Sequence, residues 1–230
     1  MKKWPRSLIF GLSLLILIVL FFVIGTLMDI QNPNAVNLGQ RFLTPNKEHI
    51  LGTDHLGRSI FSRMVYGARV SLTTTFIALS SSVFIGVLLG LAAGFFGGVV
   101  DTFLVWLMDV VLAFPGFVLS LAIAGILGPS LENAVIAVIL LQWVSYARLT
   151  RSLVFEVKEK EYIQVARFSG ATSLQIIKKH IFPNIISPII ITIAMDSGRV
   201  MLRLASLSFL GLGAQEPISE WGGMIQEGRK

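Results

Sequence analysis

The segment Glu161-Tyr-Ile-Gln164-Val-Ala166-Arg-Phe-Ser-Gly170-Ala171-Thr-Ser-Leu-Gln-Ile-Ile-Lys-Lys-His180-Ile-Phe-Pro183-Asn184 is polar and cationic, in the middle of an otherwise apolar chain. The pattern predicts a short helix that ends at Gly170, a second short amphipathic helix, and a proline that opens the next apolar run. Such an arrangement is typical of an element held against a soluble partner. Residues 154–184, called the docking loop below, are therefore predicted to carry the function of the chain.

The composition is that of a membrane protein. Hydrophobic residues make up 54% of the 230 residues and charged residues only 14%, and the mean hydropathy is +0.77, far from the usual balance of a soluble domain. The formal net charge of +6 is compatible with a nucleic-acid partner, but no basic stripe interleaved with aromatic residues supports one. Because the sequence contains no cysteine, disulfides, thiol catalysis and Cys-ligated zinc are excluded.

Five apolar runs are predicted to cross the bilayer, which makes the chain an all-α, polytopic membrane protein. The first, Leu8–Met28, carries no charge and exceeds the roughly 20 residues that a spanning helix needs. Lys2, Lys3 and Arg6 precede it and no small-residue cleavage site follows, so a signal anchor is favoured over a cleaved signal peptide. The other runs lie near Leu72–Phe95, Phe103–Leu127, Leu131–Leu153 and Ile185–Leu210.

The distribution of charge predicts a cytoplasmic N-terminus and a cytoplasmic docking loop. With the N-terminus inside, the loop after the fourth span lies in the cytoplasm, and its lysines and arginines outnumber its glutamates as the positive-inside rule expects. The loop between the first two spans is also basic and would lie outside. It is long, however, and long loops obey the rule less strictly.

Glycines recur at every fourth position of the second span, at Gly86, Gly90 and Gly94. A small-residue face of this kind lets another helix approach closely. Glycine is also common in membrane helices without such a role, so the sequence leaves both interpretations open.

Ionisable residues interrupt the third and the fifth apolar runs: Asp109 in the third span, and Asp196, Arg199 and Arg203 in the fifth. A charge at the centre of a membrane helix costs about 2.5–3.5 kcal/mol, so each is expected to face protein or water. Asp196 and Arg199 can pair on one helix face. The residues form either a structural ion pair or a polar translocation path. Asp109 followed by Pro115 predicts a bend in the backbone of the third span. The bend either lies near a gate of the path or only serves the packing of the helices.

The stretch before the second span has a helical pattern of its own. Asp54 precedes it, and Ile60, Met64 and Ala68 share one apolar face. We predict an amphipathic helix at the outer membrane interface, which either braces the first span or meets an external partner.

Motifs for catalysis are missing from the sequence. It has no G-x-x-x-x-G-K-S/T phosphate loop, so it is not expected to hydrolyse ATP in the P-loop manner, and H-E-x-x-H and G-x-S-x-G are absent. His49, His55 and His180 are too scattered to predict a metal site, and a solvated loop is expected around Asp54. The chain is predicted to be a non-catalytic subunit without a cofactor of its own.

The docking loop resembles the pattern E-A-A-x3-G-x9-I-x-L-P of integral-membrane permease subunits of ABC importers. Gln164-Val165-Ala166 stand at E-A-A, Gly170 at the glycine, and Phe182-Pro183 at L-P. Further segments resemble the dipeptide/oligopeptide/nickel branch of that family, in the family's order. They are Leu51–Leu72, Asp109–Pro115, and Ser208–Gly213 followed by Glu220–Ile225.

The resemblance implies an ABC transmembrane type-1 helical bundle over residues 71–230, after an anchor helix and an extracytoplasmic loop over residues 1–70. It implies a homologous second permease subunit, two cytoplasmic ABC ATPase subunits that bind ATP and Mg, and an extracytoplasmic solute-binding protein, in the cytoplasmic membrane of a bacterium or archaeon. The solute would be a peptide, nickel or a metal chelate. The implied ATPase-docking residues are Glu161, Gln164, Val165, Ala166, Gly170, Ala171, Phe182 and Pro183.

The chain departs from the family pattern at two points. Gln164 replaces an acidic residue, so any ion pair made there would become a neutral hydrogen bond, unless Glu161 compensates one turn earlier. The chain also ends at Lys230, before the sixth span that the family usually has, which predicts a shortened protein. The alternative function is an ATPase-independent channel or secondary transporter, whose ion-binding acids would be Asp109 and Asp196, although no inverted repeat is visible.

Overall fold

The computed structural model describes residues 10–13 and 32–229. Over residues 32–229 the regular structure is helical, without a β-strand, and an isolated bridge joins Thr53 to Ser59. The predicted all-α class is therefore confirmed. The predicted first span, Leu8–Met28, lies outside the described residues except for positions 10–13, and it stays a prediction.

The α-helices are numbered in chain order and include both long spans and short connecting helices. They are α1 (Ile60–Phe96), α2 (Gly98–Leu112), α3 (Gly116–Leu127), α4 (Leu131–Lys158), α5 (Glu161–Phe168), α6 (Ser173–Ile176), α7 (Phe182–Phe209) and α8 (Trp221–Glu227), and a π-helical turn over Ile177–Ile181 joins α6 to α7. The π turn lies directly before α7, whose second residue is Pro183. The missing N–H group and the bulky ring of this proline do not fit a regular α turn in the preceding residues.

Within the described residues, three helices are long and apolar enough to cross a membrane. They are Ile60–Phe96, Leu131–Lys158 and the continuous Ser173–Phe209. The pair α2 and α3 qualifies as a fourth span only when the two helices are taken together. The five crossings expected from the sequence also require the segment Leu8–Met28, and their number stays a prediction.

The second span is longer than the sequence predicted. Ser59 caps α1 by accepting a hydrogen bond from the Ser62 N–H, and the helix then runs without interruption to Phe96. The helical pattern predicted before this span is present, but it is continuous with the span, and its place at the membrane interface stays a prediction. The residues of this pattern form the first turns of α1. Gly67 in these turns gives α8 room to pack, because a Cβ atom at Gly67 would lie 3.2 Å from Trp221 Cδ1.

The glycine face of α1 packs closely against α4. A Cβ atom at Gly86 would lie 2.5 Å from the Trp143 carbonyl oxygen, and one at Gly90 would lie 2.5 Å from the Ala147 carbonyl oxygen. Gly94 continues the same contact along α4. Of the two interpretations of this repeat, close helix approach is confirmed.

The predicted third span, Phe103–Leu127, is two helices rather than one. α2 ends at Leu112 and α3 begins at Gly116, and their axes meet at 85°. Pro115 stands at the junction, where it cannot supply the N–H group that would continue α2. The predicted bend is therefore confirmed.

The core lies where α1, α4 and α7 meet, and α3 packs against it. Small residues of α1 and α4, such as Ala78 and Ala137, are fully buried there, and α7 contributes Val200, Leu204 and Leu207. A second apolar cluster at the other end of α4 lies beneath the docking loop. The short helices α5 and α6 are therefore attached to the bundle through apolar contacts.

Candidate functional site

The docking loop turns sharply at Gly170. Its φ of 85° lies in the left-handed region that favours glycine. The Ala171 N–H group donates to the Ala166 carbonyl at 3.0 Å and the Gly170 N–H group donates to the Arg167 carbonyl at 3.0 Å, which is the Schellman arrangement for ending a helix. Thr172 then starts α6 with a reciprocal capping box. The predicted helix, glycine turn and second helix are present.

Apolar side chains fix the docking loop to the ends of two spans. Ile163 of α5 and Ile176 of α6 are buried, together with Ile181 and Ile185 at the start of α7. Val157, near the end of α4, completes this cluster. Movement of the loop would therefore be transmitted to α4 and α7.

A cation at the end of α4, where the docking loop begins, is bonded to the end of α1. Lys158 Nζ donates to the Phe95 carbonyl at 2.7 Å and to the Gly94 carbonyl at 3.3 Å. These carbonyls lie in the last turn of α1, where the helix leaves them without an internal partner and where a positive charge is favoured. The Arg167 guanidinium also lies 5.8 Å from the centre of the Phe95 ring. The loop thus contacts α1 as well as α4 and α7.

The outer face of the docking loop carries exposed apolar side chains among its polar ones. Phe168 is 89% exposed, and Val165 and Leu174 are also exposed. Sequence reasoning missed Phe168 and Leu174, although both are apolar residues in a polar segment. The residues predicted to dock divide into two groups. Ala166 and Ala171 are half-buried, while those exposed are Glu161, Gln164, Val165, Gly170, Phe182 and Pro183.

The charges of α7 meet α4 through a glutamine. Asp196 is buried, its Oδ2 atom accepts a hydrogen bond from Gln142 Nε2 at 3.0 Å, and its Oδ1 atom lies 3.3 Å from Arg199 Nη1. Arg203 Nη1 donates to Gln142 Oε1 at 3.0 Å. The predicted contact between Asp196 and Arg199 is confirmed. Gln142 was missed because nothing local distinguishes it from any other polar residue of a span.

Asp109 belongs to a different contact group from Asp196. Its carboxylate, near the end of α2, forms an ion pair with Arg148 of α4, and both side chains are about half exposed. A second pair joins the same helices, because Arg151 Nη2 donates to Asp101 Oδ2 at 2.7 Å. α2 is therefore held to α4 by ion pairs on one side of the bend at Pro115.

Four charged side chains join the loop before α1 to α1 and α8 through ion pairs. Arg58 is only 2% exposed. Its Nε atom lies 2.7 Å from Asp54 Oδ2 and its Nη2 atom lies 2.6 Å from Glu227 Oε2. Arg63 Nη1 contacts the same two oxygens, at 2.7 Å and 2.6 Å. The expectation of a solvated loop around Asp54 is therefore wrong.

These contacts also lower the pKa values of the two carboxyl groups in the network, Asp54 and Glu227. Burial alone raises the pKa of Asp54, but hydrogen bonds from Arg58 and from the Leu56 N–H group outweigh it, so its pKa is lowered. The pKa of Glu227 is lowered in the same way, by Arg63 and Arg58 against the effect of burial. Both acids are thus held as carboxylates.

A metal ion does not suit this cluster. Asp54, His55 and Glu227 each offer a ligand atom, all within 4.8 Å of one another. Both carboxylates, however, already accept hydrogen bonds from the guanidinium groups of Arg58 and Arg63. A cation would have to displace buried guanidinium groups, so the cluster is an ion-pair network that joins the loop, α1 and α8.

Comparison with known proteins places the chain among membrane transport components. Residues 86–229 match the family described as binding-protein-dependent transport system inner membrane component. The chain is 40% identical over 228 residues to a dipeptide transport system permease protein of Alkalihalophilus pseudofirmus, covering 99% of this chain and 75% of the relative. Two relatives are from Escherichia coli K12. A probable D,D-dipeptide transport system permease protein is 37% identical over 216 residues (94% and 72% covered). A nickel transport system permease protein is 39% identical over 199 residues (86% and 72% covered).

Proposed function

The chain belongs to the binding-protein-dependent transport system inner membrane components, as an ABC-importer permease of the dipeptide and nickel type, and we propose that its docking loop couples one half of a translocation path to a cytoplasmic ATPase. The observation that carries the proposal is the two-sided docking loop. Its inner face packs on the ends of α1, α4 and α7, where Ile163 and Ile176 share an apolar cluster with Phe95, while its outer face exposes Phe168 and Leu174.

In this mechanism the docking loop transmits movement of the ATPase subunits to the spans. Two ATPase subunits bind ATP and Mg, and their closure displaces the outer face of the docking loop. Because the loop is packed on α1, α4 and α7, these spans move with it as a rigid body, and the path changes between outward-facing and inward-facing access. The energy comes from ATP bound by the partner, and this chain transmits it.

The remaining partners follow from the family. A second, homologous permease encloses the path together with this chain, and an extracytoplasmic solute-binding protein delivers a peptide, nickel or a metal chelate. The assembly lies in the cytoplasmic membrane of a bacterium or archaeon, with the N-terminus and the docking loop in the cytoplasm. The lysines and arginines of the docking loop support this orientation.

Replacing Gly170 tests the coupling role. Gly170→Leu puts a side chain on a residue with φ of 85°, a strain of about 1–3 kcal/mol, which corresponds to roughly a 5- to 150-fold loss of correctly turned loop. We expect co-purification with the ATPase subunits to fall accordingly, and Gly170→Asn to retain more of it, because asparagine tolerates this conformation. Gly128→Leu is the matched control, since Gly128 has φ of 90° and equally open surroundings. Undiminished association and uptake in Gly170→Leu would refute the docking role.

Cysteine labelling tests the orientation, because the chain has no cysteine of its own. Ser169→Cys, beside Gly170, and Lys47→Cys, in the loop before α1, each introduce one exposed thiol. In intact cells a membrane-impermeant maleimide should label position 47 but not position 169. After permeabilisation it should label both. Labelling of position 169 in intact cells would place the docking loop outside, where no ATPase can bind it.

The alternative of an ATPase-independent channel or secondary transporter lacks support from its own candidate residues. Asp109 and Asp196 would have to bind the coupling ion, yet the first is paired with Arg148 and the second with Arg199 and Gln142. Uptake in vesicles with and without ATP separates the two functions. Uptake that persists after ATP depletion would favour the alternative.

A further inference from the structure

A polar stripe runs along one face of α4 that is open in the described part of the chain. Ser145, Arg148 and Ser152 are exposed, and their spacing places them on one side of the helix. Gln142 lies one turn before Ser145 and contacts α7, whereas Arg148 contacts α2. The stripe therefore lies between α2 and α7, in a helix otherwise apolar enough to cross a membrane.

Arg199 of α7 is the most exposed charged side chain of the group around Gln142, which it joins through Asp196. Its side chain is 72% exposed, while that of its neighbour Asp196 is only 9% exposed. Within the described residues its guanidinium makes one contact, at 3.3 Å to Asp196 Oδ1. Arg203 lies on the same side of α7, one turn further on, and is bound to Gln142. Most of the N–H donors of Arg199 are thus available to a ligand.

The local charge is positive. Arg148 and Asp109 neutralise each other as an ion pair, and Asp196 neutralises one of the two arginines Arg199 and Arg203. One positive charge remains. A charge facing lipid is strongly disfavoured, so the exposed guanidinium of Arg199, on a helix apolar enough to span the membrane, is expected to face a water-filled path.

We propose that Arg199 binds a carboxylate of the transported solute. A guanidinium group offers parallel N–H donors that match the two oxygens of a carboxylate, whereas a net positive site repels a bare divalent cation. The inference rests on the proposed importer function and narrows its solute to a molecule that carries a carboxylate. A peptide with a free C-terminus and a metal ion bound by a carboxylate chelator both meet this condition.

Uptake by the full complex tests the assignment. The complex of both permeases and the ATPases is reconstituted in vesicles, and each solute is supplied on saturated binding protein, so that selection by that protein does not enter. The solutes are a dipeptide, the same dipeptide with an amidated C-terminus, nickel with citrate, and nickel alone. The variants are Arg199→Ala, Arg199→Lys and, as the matched control, Arg69→Ala, which removes another exposed arginine of a span. Co-purification of the ATPases checks that each variant is assembled.

We expect wild-type uptake to favour the carboxylate-bearing solutes, and Arg199→Ala to lower their uptake about tenfold or more, as for the loss of a charge-assisted hydrogen bond. The preference for the free over the amidated dipeptide should fall towards one, and Arg199→Lys should restore part of it. Arg69→Ala should keep the wild-type preference. The dipeptide and the citrate complex distinguish the two sources of the carboxylate.

An unchanged preference in Arg199→Ala, or an equal loss for free and amidated dipeptide, would overturn the inference. So would wild-type uptake of bare nickel without uptake of either carboxylate-bearing solute, and that result would leave the importer function intact. Uptake of any of these solutes without ATP would overturn the importer function instead.

Discussion

Arg63 Nη1 lies 2.6 Å from Glu227 Oε2, although 164 residues separate the two side chains in the chain. Arg63 belongs to the second turn of α1, and Glu227 is the last residue of α8. Arg58 and Asp54 complete the same network. The start of α1 and the end of α8 are thus held together at the point where the loop before α1 leads into the bundle.

Removing one member of this network should destabilise the protein strongly. Glu227→Ala leaves the guanidinium groups of Arg58 and Arg63 buried with one carboxylate between them, and breaking a buried pair in this way costs about 3–5 kcal/mol. The measurement is the free energy of unfolding of the purified protein in detergent. Glu156→Ala is the control, because its contact with Lys160 at 3.7 Å is exposed and should contribute no more than about 1 kcal/mol. Equal effects of the two variants would contradict the prediction.

The same network should make the protein sensitive to acid. The pKa values of Asp54 and Glu227 are lowered from the reference values of 3.8 and 4.5. The folded state therefore binds fewer protons than the unfolded state, and the stabilisation is fully present above the unfolded pKa values and is lost as the pH falls through the folded ones. The melting temperature should fall between about pH 5 and pH 3. A double variant, Asp54→Asn with Glu227→Gln, should show a smaller slope, and a slope equal to that of the wild type would contradict this explanation.

Features predicted correctly from the sequence are encoded by residues close together in the chain. The four-residue repeat of Gly86, Gly90 and Gly94 offered close helix packing as one of two interpretations, and Gly170 signals a left-handed turn at the end of a short helix. Asp196 and Arg199 are one helical turn apart. In each case the local geometry of a helix is enough to place the residues together.

Features that were missed depend on distant partners. The burial of Arg58 requires Glu227, and the role of Gln142 requires Asp196 and Arg203 on another span. One sequence does not show which distant residues meet. Pro115 indicated a bend in the third span, but the angle of 85° depends on how α2 and α3 pack against α4.

Adding a methyl group at Gly90 should weaken the contact between α1 and α4. The new Cβ atom of Gly90→Ala would lie 2.5 Å from the Ala147 carbonyl oxygen, a backbone atom that cannot rotate away. Overpacking of this kind costs about 1–3 kcal/mol. Gly125→Ala in α3 is the matched control, since nothing lies within 4 Å of its added Cβ atom and alanine is better than glycine within a helix by about 0.5–1 kcal/mol. Thermal unfolding should show opposite shifts for the two variants; a Gly90→Ala protein at least as stable as the wild type would contradict the close packing.

The ion pair between Asp101 and Arg151 should couple α2 to α4 energetically as well as structurally. The two side chains are partly buried, and Arg151 Nη2 donates to Asp101 Oδ2 at 2.7 Å. In a double-mutant cycle of Asp101→Ala and Arg151→Ala, we expect an interaction energy of about 0.5–3 kcal/mol from denaturant unfolding in detergent. Thr102→Ala replaces Asp101→Ala in the control cycle, because the Thr102 hydroxyl donates to the Gly98 carbonyl within its own helix. The control cycle should give an interaction energy near zero, and the same result for Asp101 and Arg151 would mean that packing alone holds the first half of the bent pair against α4.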